Sequence, residues 1–450
     1  MQPVSNHLQR KNKFGLLTVI SIVIANMVGT GVFTSLGFQV AGIRSGFALL
    51  MLWALGGVVA LCGAFAYSEL SRYFPRSGGE YNFLSRLYHP AVGFLAGWIS
   101  ITVGFAAPVA AAAIAFGQYF HSAVDVTRYF PEFLGHLSTP SLLAICLIIL
   151  LTALHATNKH WGAVFQNTMT LLKISFILLL IILGISLGKN VHLGFSPGPA
   201  AWSDIISPAF AISMYFVSYS YSGWNAAAYI LSEVKEPSKN ISRSLITGTG
   251  IVIVLYILLN FVFLYAVPID ELSGKIEIGY IFTQKVIGGA SGTTFGLVIA
   301  FLLISSVSSM IIVGPRVYHV IGEDYPLLRF LSKKKNDVPY VAIILQSLIS
   351  IIFIITSTFE QVIIFVGFTL NLFTFLAVLG LFIFRKKHKE IIPVTGFGYP
   401  YIPAFFLLVN TWILVYGFIY KPVESMAGLL ITGSGLVVYF ISRSKKAVHE

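Results

Sequence analysis

The sequence is poor in charged residues and in cysteine. Its 450 residues include 29 Lys and Arg, 17 Asp and Glu and two Cys, and only 10% are charged, whereas a soluble protein usually carries about 25%. Because 56% of the residues are hydrophobic, a globular core could not hide all of the apolar surface from water. These shortages argue against a soluble enzyme, a disordered scaffold and a nucleic-acid-binding protein, despite a net charge of +12. The mean hydropathy of +0.84 predicts a membrane protein with many spans.

Twelve apolar runs alternate with loops that hold almost all of the Lys and Arg residues. The runs are continuous and about 17–30 residues long, which fits membrane helices and excludes the ~10-residue strands of a membrane barrel. Predicted spans 1 to 12 cover residues 15–38, 46–70, 91–120, 141–157, 161–187, 205–232, 245–267, 295–321, 339–357, 361–384, 399–419 and 425–442. The sequence therefore predicts an all-α polytopic membrane protein with twelve transmembrane helices.

Basic residues are concentrated in every second loop. If the N-terminus is placed inside, most Lys and Arg residues fall on the cytoplasmic side, in agreement with the positive-inside rule. We therefore expect a multi-pass protein of the plasma (inner) membrane, with residues 1–14 and 443–450 as cytoplasmic termini. The basic residues would meet anionic lipid, so the charge indicates the lipid bilayer as a partner and no nucleic acid.

Spans 1 and 6 are each interrupted by residues that make poor helix centres. Span 1 carries Gly29, Thr30 and Gly31 near its middle, and span 6 carries five polar side chains at 218–222 before Gly223. Glycine disfavours a helix by roughly 1 kcal/mol relative to alanine. Small residues could instead serve close helix packing. However, interrupted spans at corresponding places in two halves indicate a transporter site.

The two breaks divide the spans into blocks. Spans 1 and 6 are each the first helix of a five-helix block, which predicts inverted repeats at residues 15–187 and 205–384. The sequences of the two blocks have little else in common, so this repeat is inferred from topology alone. The segment 399–442 holds spans 11 and 12.

The chemistry of two broken helices suits a zwitterion. Free backbone amides at the start of a half-helix attract a carboxylate, and free carbonyls at the end of one attract an ammonium group. An α-amino acid carries both groups on one carbon. Because its head group would be bound by backbone, its side chain would occupy a separate subpocket.

Lys173 is the clear exception to the absence of Lys and Arg from the middle of the spans. A lysine at that depth costs several kcal/mol unless it faces a cavity or polar partners. Its expected partners are carbonyls near the break in span 1 and hydroxyls of span 8, where Ser305 and Ser306 lie in a run of serines. The ammonium could tie helix ends together, replace a coupling cation or carry a proton. The serines could also serve only helix packing.

These features lie in motifs that are similar to those of a known family. The sequence resembles the amino acid–polyamine–organocation superfamily, and within it the branch of L-type amino acid transporters. The motifs are residues 29–33; 67–70, 75–81, 90, 93–95 and 98; Lys173; residues 222–225, 233, 237, 239–241 and 243; and residues 314–316. They follow the order that they have in the family.

The resemblance implies ten helices in two inverted repeats of five, two peripheral helices, and alternating access around spans 1 and 6. It implies that the backbone amides of Thr30 and Gly31 hold the substrate carboxylate. Tyr219 would cover the substrate as an aromatic gate, and Lys173 implies transport without sodium. The residues that would contact the ammonium group or support the unwound segment are Met27, Tyr219, Ser220, Ser222 and Asn225.

Three further residues are candidates for gates. Glu69 and Glu233 lie at the cytoplasmic ends of spans 2 and 6, with Arg72 and Lys235 nearby. These charges could bridge a gate or be solvated. Trp224, beside the break in span 6, is the third candidate.

The expected partners and cofactors are few. Eukaryotic light chains of the L-type branch pair with a glycoprotein through a Cys between spans 3 and 4, and residues 121–140 contain no Cys. The resemblance therefore implies no disulfide-linked heavy chain. The sequence has no metal-ligand cluster, nucleophile–base pair or phosphate loop at usable spacing, so we expect no enzyme activity, metal or cofactor.

The sequence predicts a secondary active amino acid transporter that works without sodium, by exchange or by proton symport. Neutral L-amino acids are favoured because no acidic residue lies deep in spans 1, 3, 6, 8 or 10. One alternative keeps the fold and transports cationic amino acids or polyamines by antiport. Another is a membrane sensor that binds an amino acid without sustained flux.

Overall fold

The computed structural model describes residues 13–127, 137–157, 162–191, 193–336, 338–388 and 398–447, without the side chains of residues 162–167, 232 and 443–447. Of the predicted termini 1–14 and 443–450, residues 1–12 and 448–450 lie outside the described residues. The first residue of predicted span 5, at position 161, also lies outside them.

The described residues form helices and two isolated bridges, and no strand occurs among them. In order, the helices of spans 1 to 12 are Leu16–Met27 with Gly31–Gln39, Gly46–Tyr73, Pro90–Ala123, Thr139–Thr157, Gly162–Leu187, Pro208–Tyr221 with Ala226–Tyr229, Pro237–Ala266, Gly289–Asp324, Tyr340–Thr356, Phe359–Lys387, Tyr401–Tyr420 and Pro422–Ala447. Shorter helices between them are Gly79–Leu87, Pro199–Ile205, Ile269–Leu272 and Ile278–Val286. We call the side of the bundle where span 1 begins and span 12 ends the terminal side.

The fold class predicted from the sequence is confirmed. Ten of the twelve spans are long and apolar enough to cross a membrane. The other two are span 9, an apolar helix of 17 residues, and the broken span 6. The protein is an all-α polytopic membrane protein.

The starts of spans 6, 7 and 8 differ from the predicted ones for reasons that the apolar runs do not reveal. Spans 7 and 8 begin earlier than predicted, at Pro237 and Gly289, because a helix continues past the apolar run where its first turns are polar. Span 6 begins later, at Pro208, after a separate helix bent away from it by 64°. The Ser207 hydroxyl accepts a hydrogen bond from the Phe210 amide at 3.3 Å and caps the new helix.

Burial separates inner spans from outer ones. Among the ten spans that are long and apolar enough to cross a membrane, spans 3 and 10 are the most buried and spans 4 and 12 the least. Leu150, Leu408 and Leu430 on the outer spans are each exposed. In a bilayer such side chains meet lipid tails, which are as apolar as leucine itself. The polar residues of spans 1, 6 and 8 therefore lie inside a ring of lipid-facing helices.

Span 3 contains a feature that its sequence did not predict. Residues Ser100–Gly104 form a π-helical turn, a local widening that often marks functional sites. The Tyr318 hydroxyl of span 8 donates to the Ile101 carbonyl at 2.6 Å. The widened turn is therefore in direct contact with span 8.

Candidate functional site

Span 1 is broken at residues 28–30. Its first helix ends at Met27, where the Val28 amide donates to the Ile24 carbonyl and the Gly29 amide to the Met27 carbonyl, each at 2.8 Å. The second helix starts at Gly31, and the Thr30 side chain provides no cap. The first amides of this nine-residue helix are thus left for a ligand, at the positive end of its dipole.

Span 6 is broken at residues 222–225. Ser222 is extended, and Gly223 has φ of 98°, a conformation that favours glycine. Asn225 then leads into the short helix Ala226–Tyr229. The polar run at 218–222 therefore marks the end of the first half-helix and the start of the break.

The two breaks pack directly on each other, and a glycine on each side permits it. A Cβ atom on Gly31 would lie 2.6 Å from the Ser220 Cα, and one on Gly223 would lie 2.8 Å from the Asn26 carbonyl oxygen. Real Cβ atoms do not approach other atoms so closely. Each glycine therefore serves the backbone of the opposite span.

A tyrosine that sequence reasoning missed joins the breaks. The Tyr256 hydroxyl of span 7 lies 2.6 Å from the Met27 carbonyl oxygen and 3.2 Å from that of Ser220. It donates its proton between the two half-helix ends. The only signal in the sequence is a tyrosine in the middle of an apolar span.

The predicted ammonium-binding carbonyls differ in how far they are already engaged. The Met27 carbonyl accepts from both Gly29 and Tyr256. The Tyr219 carbonyl accepts from the Ser222 amide at 3.0 Å, and the Ser220 carbonyl accepts from Tyr256. Among the described residues, the Ser222 carbonyl has no recorded donor. Ser222 is thus the most available of the four.

Tyr219 bridges the breaks with its side chain. It is buried, and its hydroxyl lies 3.5 Å from the Thr30 hydroxyl. The Ser220 and Ser35 hydroxyls lie 3.0 Å apart on the same interface. Side-chain contacts thus join spans 1 and 6 through Thr30, Tyr219 and Ser220, which the sequence singled out, and through Ser35, which it did not.

Lys173 reaches the break in span 1 from span 5. Its ammonium group donates to the Val28 carbonyl at 3.3 Å and to the Ser306 hydroxyl at 2.8 Å. The Ser305 hydroxyl instead donates to the Leu302 carbonyl of its own helix at 2.7 Å. The expectation that both serines contact Lys173 is therefore wrong for Ser305, because adjacent residues point to different faces of a helix. The role of Lys173 stays a prediction.

A buried carboxylate lies beside the break in span 6, on a segment outside the spans. Glu80 follows Gly78 and Gly79, which have φ of 124° and 52° and turn the chain back into the protein. Its carboxylate accepts from the Asn225 amide group at 2.6 Å. The absence of acids deep in the spans is therefore compatible with a carboxylate at the site. In the sequence, the paired glycines before Glu80 were the signal that the chain turns back into the protein here.

Glu69 and Arg72, two charged residues at the end of span 2, have separate partners. Glu69 pairs with Arg385 of span 10 at 2.5 Å, and both side chains are largely buried. Arg72 instead donates to the Ser242 hydroxyl at 3.2 Å. Glu69 thus contacts span 10, a long-range contact that sequence distance hides, and its role in a gate stays a prediction.

Glu233 and Trp224 also occupy positions that the sequence did not define. The Glu233 side chain is exposed, and its backbone carbonyl accepts from the Phe14 amide at 2.8 Å. The Lys235 amide donates to the Phe14 carbonyl at 2.9 Å. The Trp224 ring packs edge-on against Tyr67, with ring centroids 4.7 Å apart. Trp224 thus lies on the terminal side of the break in span 6.

Further polar contacts close the terminal side. The Tyr81 hydroxyl donates to Asp324 of span 8 at 2.6 Å, and Arg76 pairs with the same carboxylate at 3.3 Å. Burial, followed by the hydrogen bond to Asp324, raises the pKa of the Tyr81 hydroxyl above its ordinary value. Tyr81 therefore stays protonated and acts as a donor.

Fold and site together define a membrane protein with many helical spans and a buried polar site where two broken helices meet. In the described ranges no group of three or more His, Cys, Asp and Glu side chains could hold a metal ion. The chain belongs to the amino acid permease family, whose profile matches residues 14–441. The resemblance stated from the sequence motifs is thus confirmed.

Individual relatives are similar over nearly the whole chain. The chain is 26% identical over 443 residues to b(0,+)-type amino acid transporter 1 of Mus musculus, covering 96% of this chain and 88% of the relative. It is 27% identical over 443 residues to large neutral amino acids transporter small subunit 2 of Rattus norvegicus, covering 96% and 80%. It is 25% identical over 443 residues to the cystine/glutamate transporter of Homo sapiens, covering 98% and 87%. These relatives support amino acid transport in general and an integral membrane protein.

Proposed function

We propose that the protein is a secondary active transporter that moves neutral L-amino acids across the membrane by alternating access, without sodium. The observation that carries this proposal is the direct contact of the two helix breaks, through Gly31 and Gly223. Backbone donors and acceptors face each other there at membrane depth. Such groups are tolerated in a membrane where they line a binding site.

The substrate head group would lie between the breaks. The Thr30 and Gly31 amides would hold the carboxylate at the start of the second half of span 1. The Ser222 carbonyl would accept from the ammonium group, with help from Ser220 and Tyr219. The Met27 carbonyl already accepts two hydrogen bonds, so it would take part only after losing one of them.

Sodium independence is supported by the position of Lys173. Its ammonium group lies between the Val28 carbonyl and the Ser306 hydroxyl, where it supplies a positive charge beside the break. A coupling cation would be repelled from the same place. The lysine is compatible with either amino acid exchange or proton symport.

The organisation of the chain completes the proposal. Residues 15–187 and 205–384 would form the two inverted repeats, and 399–442 would form two peripheral helices. The protein would lie in the cell membrane with both termini in the cytoplasm. It would work without a disulfide-linked heavy chain, because its two cysteines, Cys62 and Cys146, lie within spans 2 and 4 and none lies in residues 121–140.

A second candidate keeps the mechanism and changes the substrate to a cationic amino acid or polyamine. It is favoured by Glu80, whose carboxylate touches Asn225 beside the break. A positively charged substrate group could be attracted by this carboxylate. This carboxylate already accepts hydrogen bonds from three neutral groups, those of Tyr67, Asn225 and Tyr229, which weakens that attraction, so the neutral substrate is preferred.

Uptake into proteoliposomes tests the proposal. Radiolabelled neutral and cationic amino acids would be offered to vesicles that are empty or loaded with unlabelled amino acid, with or without sodium and an inward proton gradient. Uptake of neutral amino acids without sodium is expected. Uptake only into loaded vesicles would indicate exchange, and acid-driven uptake into empty vesicles would indicate proton symport. Binding without any flux would contradict transport and favour a sensor.

A further inference from the structure

The Glu80 carboxylate is a hub that joins three separate parts of the chain. It lies in the first turn of the helix Gly79–Leu87 and is buried. It accepts hydrogen bonds from Tyr67 of span 2 at 2.7 Å, from Asn225 at 2.6 Å and from Tyr229. A carboxylate of this short helix thus connects span 2 with both ends of the short helix that follows the break in span 6.

All three partners are uncharged donors. A carboxylate offers about four acceptor positions, so it can hold three donors that would otherwise have to share weaker acceptors. Charge-assisted hydrogen bonds of this kind are stronger than neutral ones. Glu80 therefore restrains its three partners through the positions of its accepting oxygens, and these partners carry no opposite charge.

The bond to Asn225 sets the direction of that side chain. Its amide nitrogen, Nδ2, is bound to the Glu80 carboxylate, which leaves the amide oxygen as the accepting end of the group. An accepting oxygen is what a substrate ammonium group requires. If the amide group could rotate, it could turn its donating nitrogen toward the substrate instead.

The bond to Tyr229 restrains the other end of the segment. The Tyr229 ring lies against Gly79, where a Cβ atom would come within 2.5 Å of the ring. Gly79 also has a positive φ. The glycine therefore serves two purposes: it brings Glu80 into the protein and lets the Tyr229 ring pack on the backbone.

We propose that Glu80 is a positioning residue of the substrate site, which fixes the Asn225 amide and ties the second half of span 6 to span 2. Since the terminal side must open during alternating access, the same bonds would break and reform in each cycle. The inference rests on the proposed function only where it gives Asn225 a contact with substrate. The restraint on span 6 is independent of transport.

Transport kinetics test the positioning role. Glu80→Ala removes the acceptor and is expected to raise KM by about tenfold or more, the size expected for losing one oriented hydrogen bond. Glu80→Gln keeps one accepting oxygen for Asn225 and Tyr67, so it should restore KM to within about threefold of the wild type. The matched control is Glu360→Ala, which removes a carboxylate of span 10 that pairs with Lys421. This variant should leave KM unchanged.

Two kinetic results would overturn the proposal. An unchanged KM in Glu80→Ala would show that the Asn225 amide needs no support. A Gln variant as defective as the Ala variant would show that the charge matters and the acceptor geometry does not.

Hydrogen exchange tests the restraint without any substrate. In Glu80→Ala, the backbone amides of residues 222–231 should exchange faster than in the wild type, whereas those of span 4 should not change. If that variant cannot be purified, Tyr229→Phe removes one donor and keeps the ring packed on Gly79, and it should show the same local effect. Unchanged exchange at 222–231 would overturn the restraint, even if the wild type transports no amino acid and the proposed function itself fails.

Discussion

At the residue scale, the site depends on two glycines that let the backbones of spans 1 and 6 touch. Breaking the helix does not by itself require glycine at position 31, whereas the φ of 98° at Gly223 also favours glycine. The two glycines share a close neighbour on the opposite span, which leaves no room for a Cβ atom. A third glycine, Gly29, lies in the break of span 1, but a Cβ atom there would come no closer than 3.9 Å to a neighbouring atom.

Gly31→Ala should separate the breaks and weaken substrate binding. The new methyl group would lie 2.6 Å from the Ser220 Cα, and backbone cannot give way as a flexible side chain can. We expect substrate affinity to fall by about tenfold or more. Gly29→Ala is the matched control, because the nearest atom to its Cβ would be 3.9 Å away. Substrate-dependent thermal stabilisation of both variants measures the difference, and equal behaviour would contradict the packing argument.

The two serines of span 8 should differ in their effect on Lys173. Ser306→Ala removes a hydrogen bond to a buried charge, a bond that contributes about 1.5–3 kcal/mol. Ser305→Ala removes only a bond within its own helix. We therefore expect Ser306→Ala to lower the apparent melting temperature and the transport rate more than Ser305→Ala does. Two variants with indistinguishable melting curves would mean that the Lys173 contact carries no stability.

At the scale of elements, both breaks could be predicted from the sequence because their composition is wrong for a helix in lipid. The glycines of span 1 and the polar run of span 6 are local signals, and local signals survive in a one-dimensional sequence. Their contact through Tyr256 could not be predicted, since it joins residues that are far apart in the chain. The place of Glu80 was missed for the same reason. It lies in the short helix between spans 2 and 3 and reaches the site through the turn at Gly78 and Gly79.

The ends of spans 2 and 10 should be held together by the pair Glu69 and Arg385. Both side chains are largely buried, and removing one member of such a pair costs about 3–5 kcal/mol because the other charge is left alone. We expect Glu69→Gln to lower the apparent melting temperature clearly and to open the terminal side. Glu360→Gln breaks a more exposed pair with Lys421, and such pairs contribute about 0–1 kcal/mol. A larger loss in Glu360→Gln would contradict this assignment of the gate.

At the scale of the whole molecule, the number of spans and the helical class followed from composition and run length. The starts of spans 6, 7 and 8 did not, because a helix can continue with polar turns beyond the membrane or stop at a bend. The outer ring of lipid-facing side chains was implicit in the excess of apolar residues. The order in which helices pack inside that ring depends on contacts between distant residues.

The orientation predicted from the basic loops can be measured directly. In a variant with Cys62→Ser and Cys146→Ser, a membrane-impermeant thiol reagent should label Lys275→Cys in intact cells. It should label Lys334→Cys only after the cells are permeabilised, because the two exposed positions are predicted to lie on opposite sides of the membrane. The reverse pattern would place the termini outside.

The central claim is that an amino acid binds where the two breaks meet. A structure of the protein determined with a saturating amino acid that the uptake assay identifies tests it most directly. We predict the carboxylate within hydrogen-bonding distance of the Thr30 and Gly31 amides, and the ammonium group beside the Ser222 carbonyl. An amino acid bound elsewhere, or bound there with its two ends exchanged, would contradict the claim.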